Sequence, residues 1–304
     1  MKISPFIKLI RPKHWIKNTF VLTPLIFSLK FNNSIAIFKI TIAFIAFCLL
    51  ASSIYILNDI FDKTADQNHP VKKFRPIASG IISIKSAYIG FFLLSILSFT
   101  IAFFINIKTL SIFIIYFIIT NSYSLKFKKL VIFDVFFIAL GFVLRVYAGA
   151  FSIDVPVSHW IALTTLFVSL FLAFGKRRSE YMLLNSLSEY KNLPKRDVLN
   201  FYTETLLNIF IMITLTLTII MYTLYTIAPA TINKFHHDNF IYTVPIVVYG
   251  VFRYLFLIFV KTKDDDVTEI VLKDKSLLLT VVVWGVAIMF LIYFGDKVKY
   301  IITF

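Results

Sequence analysis

The sequence predicts an all-α integral membrane protein, a bundle of about nine transmembrane helices with a cytoplasmic N-terminus. Of the 304 residues, 59% are hydrophobic and only 15% are charged, and the mean hydropathy is +0.85. Soluble domains contain about 45–50% apolar and about 25% charged residues. A soluble fold of this length could not bury so much apolar surface, whereas a lipid bilayer accepts it on the outside of a bundle.

The basic charge of the chain has to be interpreted by its location. A formal net charge of +15 would suit a nucleic-acid-binding protein, but in membrane proteins lysine and arginine collect in cytoplasmic loops. We therefore expect the membrane bilayer as a partner and no nucleic acid. The single cysteine, Cys48, lies in an apolar run and excludes an intrachain disulfide.

Nine stretches come near the length of about 20 apolar residues that a helix needs to cross the hydrocarbon layer. The predicted spans are 18–30, 36–57, 84–105, 109–122, 131–150, 158–175, 201–226, 240–260 and 277–295. The first and the fourth are shorter than the others. Because the series contains no fixed-period repeat, no low-complexity linker and no polar stretch long enough for a soluble domain, we predict one transmembrane domain over residues 1–304.

Most of the 31 lysines and arginines fall on one side of this bundle if the N-terminus is cytoplasmic. The asymmetry follows the positive-inside rule and predicts a multi-pass protein of the cell (inner or plasma) membrane. Most of the 16 acidic residues lie on the same side. Since acidic residues contribute little to orientation, either the loops there are simply longer and more polar, or that cytoplasmic side carries an active site.

An acidic cluster follows the second predicted span, in the sequence YILNDIFDKTADQNHPVKKFRP. If the helix continues through it, five polar side chains at positions i, i+3, i+4, i+7 and i+11 share one face over about three turns. They are Tyr55, Asn58, Asp59, Asp62 and Asp66. Like charges stacked four residues apart repel each other, and a divalent cation would remove that repulsion.

The ligand types in this cluster favour Mg²⁺. Carboxylate and amide oxygens, with no His or Cys at ligand spacing, suit this hard cation, which shares its other positions with water and substrate phosphates. The candidate ligands are Asn58, Asp59, Asp62 and Asp66. The alternative is a solvated helix end, where Asp and Asn are common. We expect His69 to be a loop residue, because the other ligands are all oxygen.

Three cations, Lys72, Lys73 and Arg75, follow the cluster closely. A metal held by carboxylates and flanked by cations suits a diphosphate, because the metal neutralises the leaving group while the cations hold the remaining oxygens. Taken singly, each of these cations is equally well explained by the positive-inside rule.

The motif N-D-x-x-D-x-x-x-D after an apolar span, in a chain of nine predicted helices, resembles the UbiA superfamily of intramembrane prenyltransferases. The resemblance covers nearly the whole chain. It implies a UbiA-like helical bundle whose cavity opens to the lipid. It also implies that Asp59, Asp62 and Asp66 are catalytic residues, which bind a diphosphate substrate through Mg²⁺.

Most members of that family carry a second motif, D-x-x-x-D, in the loop after the sixth span. Here the corresponding segment reads FLAFGKRRSEYMLLNS, so three cations and one acid stand where the second acidic cluster is expected. These residues are Lys176, Arg177, Arg178 and Glu180. A site for two phosphorylated substrates could be built this way, whereas a site for two Mg²⁺ ions and a neutral aromatic would not.

Several further segments, in order along the chain, resemble the decaprenyl-phosphate phosphoribosyltransferase branch of the family. They are RPKHWIKN (11–18), YSLKFKK (123–129), GFVLRVYAGA (141–150), GKRRSE (175–180) and YGVFRYLFL (249–257). That branch joins phosphoribosyl diphosphate to a polyprenyl phosphate and releases diphosphate. The resemblance therefore implies these two substrates and a part in cell-envelope glycan synthesis.

Five more residues complete the candidate substrate-binding set: Lys17, Tyr55, Tyr123, Lys126 and Arg145. Arg145 lies within the fifth predicted span, where a charge is costly and is usually paired or functional. It could instead pair with an acid on another helix for structure alone. Tyr123 lies near a predicted interface, where aromatic residues are enriched anyway. For Arg253, within the eighth span, we expect a structural role.

Two other functions remain open. An ordinary UbiA-type prenyltransferase would move a prenyl group from a prenyl diphosphate to an aromatic acceptor. A transporter of anionic lipids would also use intramembrane arginines and a basic face. Transporters often contain inverted repeats and paired broken helices, and the sequence displays neither.

Overall fold

The computed structural model describes residues 5–186, 197–261 and 273–302, and every regular element within these ranges is a helix. Eight helical segments of the described chain are long and apolar enough to cross a membrane, so the chain is a multi-pass membrane protein. The longest helices are α3 (Ser34–Phe61), α5 (Ile84–Ile105), α6 (Ile107–Leu125), α7 (Phe133–Ser152), α8 (His159–Ser186), α9 (Glu204–Ile227), α11 (Val244–Phe256) and α12 (Lys275–Ile302).

Shorter helices connect these elements. The short α-helices are α1 (Pro5–Ile10), α2 (Thr23–Phe27), α4 (Lys63–Gln67) and α10 (Pro229–Phe235). The 3₁₀ helices are Pro12–Leu22, Lys72–Phe74, Phe127–Lys129, Asp197–Phe201 and Asn239–Thr243, and a π-helical turn covers Leu257–Lys261. The described residues form two compact units, the first ending at Val157 and the second beginning at Ser158. The single domain over 1–304 stays a prediction.

The first predicted span, 18–30, is not a single α-helix. The chain instead forms the 3₁₀ helix Pro12–Leu22 followed by α2. This segment runs antiparallel to α3. Trp15 Nε1 donates to Ser52 Oγ at 3.0 Å, and further along Asn18 Nδ2 donates to Cys48 Sγ at 3.3 Å. Prolines at both helix starts favour short helices over one continuous α-helix here.

The inner face of this N-terminal 3₁₀ helix repeats every three residues, as its geometry of about three residues per turn requires. Trp15, Asn18 and Val21 all point into the unit, and Val21 is fully buried. The carbonyl of Val21 packs against Gly149 of α7, where an added Cβ would lie 1.8 Å from that oxygen. Only glycine allows this approach.

The core of the first unit lies between α3 and the N-terminal segment, α6 and α7. Ala43, Ala46 and Leu50 of α3 are fully buried. The ring of Phe47 packs against those of Phe113 at 5.1 Å and Tyr116 at 4.5 Å. The small residues let the helices approach closely, as is common in membrane helix packing.

In the second unit, α8 extends to Ser186, beyond the predicted end of the sixth span at 175. The expected loop GKRRSE is therefore helical. Lysine, arginine and glutamate are good helix formers, and an i,i+3 ion pair between Arg177 and Glu180, with a 2.9 Å contact, adds to the helix.

A polar network also ties α12 to the connection after α10. His237 Nε2 lies 2.8 Å from the carbonyl of Leu291. Asn239 Nδ2 donates to the carbonyl of Gly295 at 3.1 Å, so this connection is held to the helix by buried hydrogen bonds.

Candidate active site

The predicted acidic cluster lies at a break between two helices. α3 ends at Phe61, and Asp62 caps it with φ −86° and ψ 4°. α4 then carries Asp66, whose amide donates to the carbonyl of Asp62 at 2.8 Å. The expectation of one continuous helix was wrong, because the chain turns at Asp62. As a result, Asp62 meets a different cation from Asp59 and Asp66.

Arg75 joins Asp59 to Asp66. Its Nη1 lies 3.0 Å from Oδ1 of Asp59 and 2.6 Å from Oδ2 of Asp66. Both carboxylates are buried, at 2% and 3% exposure. Buried charges are costly unless they are paired and hydrogen-bonded, so the guanidinium compensates both acids. The sequence indicated that Arg75 lies beside the cluster but not that it bridges two of its members.

Arg11, which was not among the predicted site residues, is a second partner of Asp59. Its Nη2 donates to Oδ1 of Asp59. Its backbone is left-handed, with φ 50° and ψ 61°, which is uncommon for a residue other than glycine. Its guanidinium lies 5.1 Å from the ring centre of Tyr55, a cation–π contact that holds it in place. Tyr55 therefore lies next to the cluster, as predicted.

Asp62 pairs with Lys128, whose Nζ lies 2.9 Å from Oδ1. This pair is more open than the others, since its side chains are 39% and 33% exposed. Lys128 belongs to the segment YSLKFKK, in which Lys126 is the predicted substrate-binding residue. Lys126 is exposed and makes no ion pair with the described residues, so Lys128 is the lysine that the structure brings to the cluster.

The loop after α4 is anchored by apolar side chains. Ile77 and Ile82 are buried in a cluster with Ile56 and Ile60 of α3. Gln67 Nε2 also donates to the carbonyl of Ala78 at 3.2 Å. Burial of this part of the loop anchors the chain that follows Arg75 beside the end of α3.

The first part of the same loop is more exposed. Lys72 is half-buried and Lys73 is exposed, with its Nζ 5.3 Å from the ring centre of Phe74. His69 Nδ1 accepts hydrogen bonds from the amides of Val71 and Lys72, at 3.2 and 3.3 Å. His69 is thus a loop residue, as expected. Burial, with the charge of Lys72, lowers the pKa of His69 below its usual range.

Asn58 has a side-chain oxygen that is available as a metal ligand. Its Oδ1 is buried and has no hydrogen-bond partner among the described residues. A buried acceptor of this kind needs a partner such as water or an ion. No three His, Cys, Asp or Glu side chains in ranges 5–186, 197–261 and 273–302 form a ready-made metal cluster. The donors at this site, Asn58 Oδ1 and the carboxylates of Asp59 and Asp66, are all oxygens and fit a hard cation, while Arg11 and Arg75 already use Asp59 Oδ1 and Arg75 uses Asp66 Oδ2.

Arg145 lies in the interior of the first unit, at 6% exposure. Its Nη1 donates to the carbonyl of Gly141 at 2.7 Å, and Nη2 donates to the hydroxyl of Tyr116 at 2.9 Å. Asn18 accepts from Nε. All these partners are neutral, and the described residues include no carboxylate paired with Arg145. The alternative, an acid on another helix that pairs with Arg145, is therefore not found in the part of the chain that the structure describes, and the substrate-binding role of Arg145 stays a prediction.

Two other predicted residues lie on elements of the first unit. Lys17 is half-buried in the N-terminal 3₁₀ helix, and Tyr123 is half-buried in the last turn of α6. α6 ends two residues before Phe127–Lys129, the short helix that carries Lys128. Tyr123 thus lies close in the chain to the lysine that meets Asp62, whereas the substrate contacts of both residues remain predictions.

The cations of α8 are held within the second unit. Arg177 is 1% exposed and pairs with Glu180 at 2.9 Å. Arg178 donates from Nε to Asn208 Oδ1 at 2.7 Å and from Nη1 to the carbonyl of Ile258 at 3.3 Å. Arg178 thus ties α8 to α9 and to the π-helical turn, whereas Arg177 pairs within α8. Lys176 beside them is half-buried. That the three cations bind phosphate stays a prediction.

Arg253 has the structural role that the sequence analysis expected. Its Nε and Nη2 bind the two carboxylate oxygens of Asp274 at 3.1 and 2.7 Å. Asp274 Oδ1 also accepts from the amide of Leu277 at 2.9 Å, which caps the start of α12. This bidentate pair therefore links α11 to the beginning of α12.

Known proteins resemble this chain over most of its length. The sequence model of the UbiA prenyltransferase family matches residues 20–272 of this chain. A decaprenyl-phosphate phosphoribosyltransferase of Mycolicibacterium smegmatis is 31% identical over 96% of this chain and 94% of its own length. One from Corynebacterium glutamicum is 36% identical over 66% of this chain and 60% of its own length.

Solved structures share the fold. A UbiA homologue from Archaeoglobus fulgidus, bound to DMAPP and Mg²⁺, superimposes with a TM-score of 0.72 at 19% identity and covers 97% of this chain and 99% of that one. The same homologue bound to GPP and Mg²⁺ gives a TM-score of 0.68 at 20% identity, with the same coverage. The family match, the relative that aligns over nearly the whole chain and the shared fold all agree. The chain therefore belongs to the UbiA prenyltransferase family of membrane transferases.

Proposed function

We propose that this chain transfers 5-phosphoribose from phosphoribosyl diphosphate to a polyprenyl phosphate and releases diphosphate, with Mg²⁺ as cofactor. The proposal depends on one observation: guanidinium groups contact buried carboxylates at the end of α3. Carboxylates bind a hard cation and arginines bind phosphate oxygens, so one place offers both halves of a diphosphate site. The relatives named above support the choice of the two substrates.

In the proposed reaction, the bond between C1 of ribose and the diphosphate oxygen breaks, and the diphosphate leaves with the electron pair. A phosphate oxygen of the lipid forms the new bond to C1. Because this oxygen is already an anion, no strong general base is needed. Mg²⁺, when bound, supplies neutralisation of the diphosphate charge. Its ligands would be Asn58, Asp59, Asp62 and Asp66.

The cations have separate tasks in this proposal. Arg75, with Lys72, Lys73 and Arg11, orients the diphosphate and stabilises the negative charge that develops on it. The other charged candidates divide between the ribose 5-phosphate and the lipid phosphate. They are Lys17, Lys126, Lys128, Arg145, Lys176, Arg177 and Arg178, with Glu180, Tyr55 and Tyr123 positioning them or the ribose.

We also propose that the site opens on the cytoplasmic side of the cell membrane, where phosphoribosyl diphosphate would be available. The positive-inside pattern supports this orientation. The lipid chain would lie along the apolar helices, which include many of the 35 phenylalanines of the chain. The product would then supply ribose-derived units for a cell-envelope glycan.

The test is a pair of assays with the purified protein in nanodiscs. With Mg²⁺, phosphoribosyl diphosphate and decaprenyl phosphate, we expect diphosphate release and a phosphoribosylated lipid, and neither when any one component is omitted. The second assay supplies a prenyl diphosphate and a phenolic acid. Product only in the second assay would establish the ordinary prenyltransferase instead. Turnover in neither, with movement of the lipid phosphate across the bilayer, would favour the transporter.

A further inference from the structure

One oxygen at the end of α3 serves two guanidinium groups. Asp59 Oδ1 accepts from Arg11 Nη2 and from Arg75 Nη1, the latter at 3.0 Å. The same Arg75 nitrogen also lies 2.6 Å from Asp66 Oδ2. Since a carboxylate oxygen has two lone pairs, the two arginines use the full capacity of Asp59 Oδ1.

A divalent cation held by Asp59 and Asp66 would share these two carboxylates with Arg75. Mg²⁺ binds oxygen at about 2.0–2.1 Å with strict octahedral geometry. A guanidinium at hydrogen-bond distance from the same carboxylates would lie within several Å of the ion, and like charges at that separation repel when water is largely excluded. Arg75 and the metal therefore compete for Asp59 and Asp66.

Of the two arginines, Arg75 is the one that can move away from the carboxylates. Its side chain is 29% exposed, compared with 20% for Arg11. Arg11 is also held by its contact with the ring of Tyr55, and no such ring contact holds Arg75 in the described part of the chain. Arg75 follows the 3₁₀ turn Lys72–Phe74 with an extended backbone, so side-chain rotation alone can move its guanidinium away from the carboxylates.

A diphosphate offers the displaced guanidinium a new partner. Phosphate oxygens accept the parallel N–H groups of arginine with good geometry and strong charge-assisted bonds. We propose that Arg75 couples the two ligands: it opposes the binding of a divalent cation alone and favours it once a diphosphate group is present. By linkage, the metal must favour the diphosphate by the same factor.

This inference rests on the proposed function of the site, and the test separates the two. Binding of Mn²⁺ to the purified full-length protein in nanodiscs is measured by the electron paramagnetic resonance signal of free Mn²⁺, with and without methylene diphosphonate. Protein-free titrations correct for the complex that the two form in solution. The wild-type protein should bind Mn²⁺ on the order of tenfold more tightly when the diphosphonate is present, a usual size for such coupling.

In Arg75→Gln, Mn²⁺ alone should bind several-fold more tightly than in the wild type, and the effect of the diphosphonate should fall towards none. Arg75→Lys keeps the charge but loses the guanidinium fork, so it should retain the opposition to metal and lose most of the coupling. It also keeps the test informative if Arg75→Gln fails to fold. Lys85→Gln is the matched control, because Lys85 is an exposed cation near the start of α5, and it should behave as the wild type.

The outcomes are distinct. Unchanged or weaker Mn²⁺ binding in Arg75→Gln, or coupling that persists in it, would overturn the inference while leaving the metal site intact. Absence of Mn²⁺ binding in the wild type under both conditions would overturn the metal site of the proposed function and the inference together. If Mn²⁺ and the diphosphonate favour each other's binding in the wild type and this effect is lost in Arg75→Gln, but no phosphoribosyl transfer occurs, only the assigned reaction would be overturned.

Discussion

Arg145 Nε donates a hydrogen bond of 2.9 Å to Asn18 Oδ1, joining α7 to a helix that lies 127 residues earlier in the chain. The guanidinium is buried at 6% exposure and is surrounded by the rings of Phe47, Tyr116 and Phe142 at 5.0–5.3 Å. Cation–π contacts and neutral hydrogen bonds therefore stabilise this charge inside the first unit.

We expect Asn18→Ala to destabilise the protein by about 1–3 kcal/mol, because a buried charged donor loses its acceptor. The measurement is unfolding in detergent of Asn18→Ala, Arg145→Met and the double variant. The two residues should couple by about 0.5–3 kcal/mol. Thr19→Ala, next to Asn18 but exposed, is the control and should change stability little. Strictly additive effects of the two substitutions would contradict the direct contact.

Gly149→Ala should destabilise the protein, although alanine is the better helix former by about 1 kcal/mol. The new Cβ would lie 1.8 Å from the carbonyl oxygen of Val21, so the N-terminal 3₁₀ helix must move away from α7. Gly285→Ala is the control, because a Cβ there meets no atom within 4 Å. It should be neutral or stabilising in thermal unfolding. A stabilised Gly149→Ala would show that this packing is absent.

Asp62→Asn should lower phosphoribosyl transfer by at least about 100-fold, the scale expected when a charged group that assists a transition state is removed. Asp154→Asn makes the same chemical change in a residue with φ 49°. Asparagine tolerates this left-handed backbone, so the control variant should keep wild-type rates. The assay is release of diphosphate at saturating Mg²⁺. Equal rates for the two variants would remove Asp62 from the site.

Arg178→Gln should lower the unfolding temperature, because α9 and the π-helical turn Leu257–Lys261 lose their shared donor. Arg178 meets Asn208, Ile258 and, at 3.5 Å, Glu204. Loss of a buried charged donor costs about 1–3 kcal/mol. Lys275→Gln removes an exposed cation at the start of α12, where a positive charge opposes the helix dipole. It should leave the unfolding temperature unchanged or slightly higher.

Cysteine labelling tests the orientation of the chain. In a Cys48→Ser background, Lys73→Cys should react with a membrane-impermeant maleimide only in inverted vesicles. Lys108→Cys, near the start of α6, should react only from the opposite side. Both lysines are exposed. The reverse pattern would place the acidic cluster on the outer face and exclude a cytoplasmic substrate.

The long apolar helices could be predicted because lipid imposes a simple length requirement. The predictions that failed concern the helix type and the helix end, and apolar content decides neither of these. The stretch 18–30 is apolar, but Pro12 precedes it and Pro24 lies within it, and the chain forms short helices. α8 runs past 175 because Arg177 and Glu180 pair along the helix, so a change to polar residues did not end it.

The acids of the site could be predicted from their spacing, whereas their partners could not. Arg11 lies 48 residues from Asp59, and Lys128 lies 66 residues from Asp62. Tertiary packing, which local spacing does not encode, decides which of many basic residues meets each acid. The turn at Asp62 adds to the difficulty, because helical periodicity stops being a guide at the point where the site begins.

The three-residue repeat of the N-terminal 3₁₀ helix limits how the length of this segment can vary. A single inserted residue would rotate the rest of the helix by about 120° and would turn Asn18 away from Arg145 and Val21 away from Gly149. An insertion of three residues would restore the facing side chains after one extra turn. Length differences between this region and its relatives should therefore come in multiples of three, which gives a rule for aligning their N-termini.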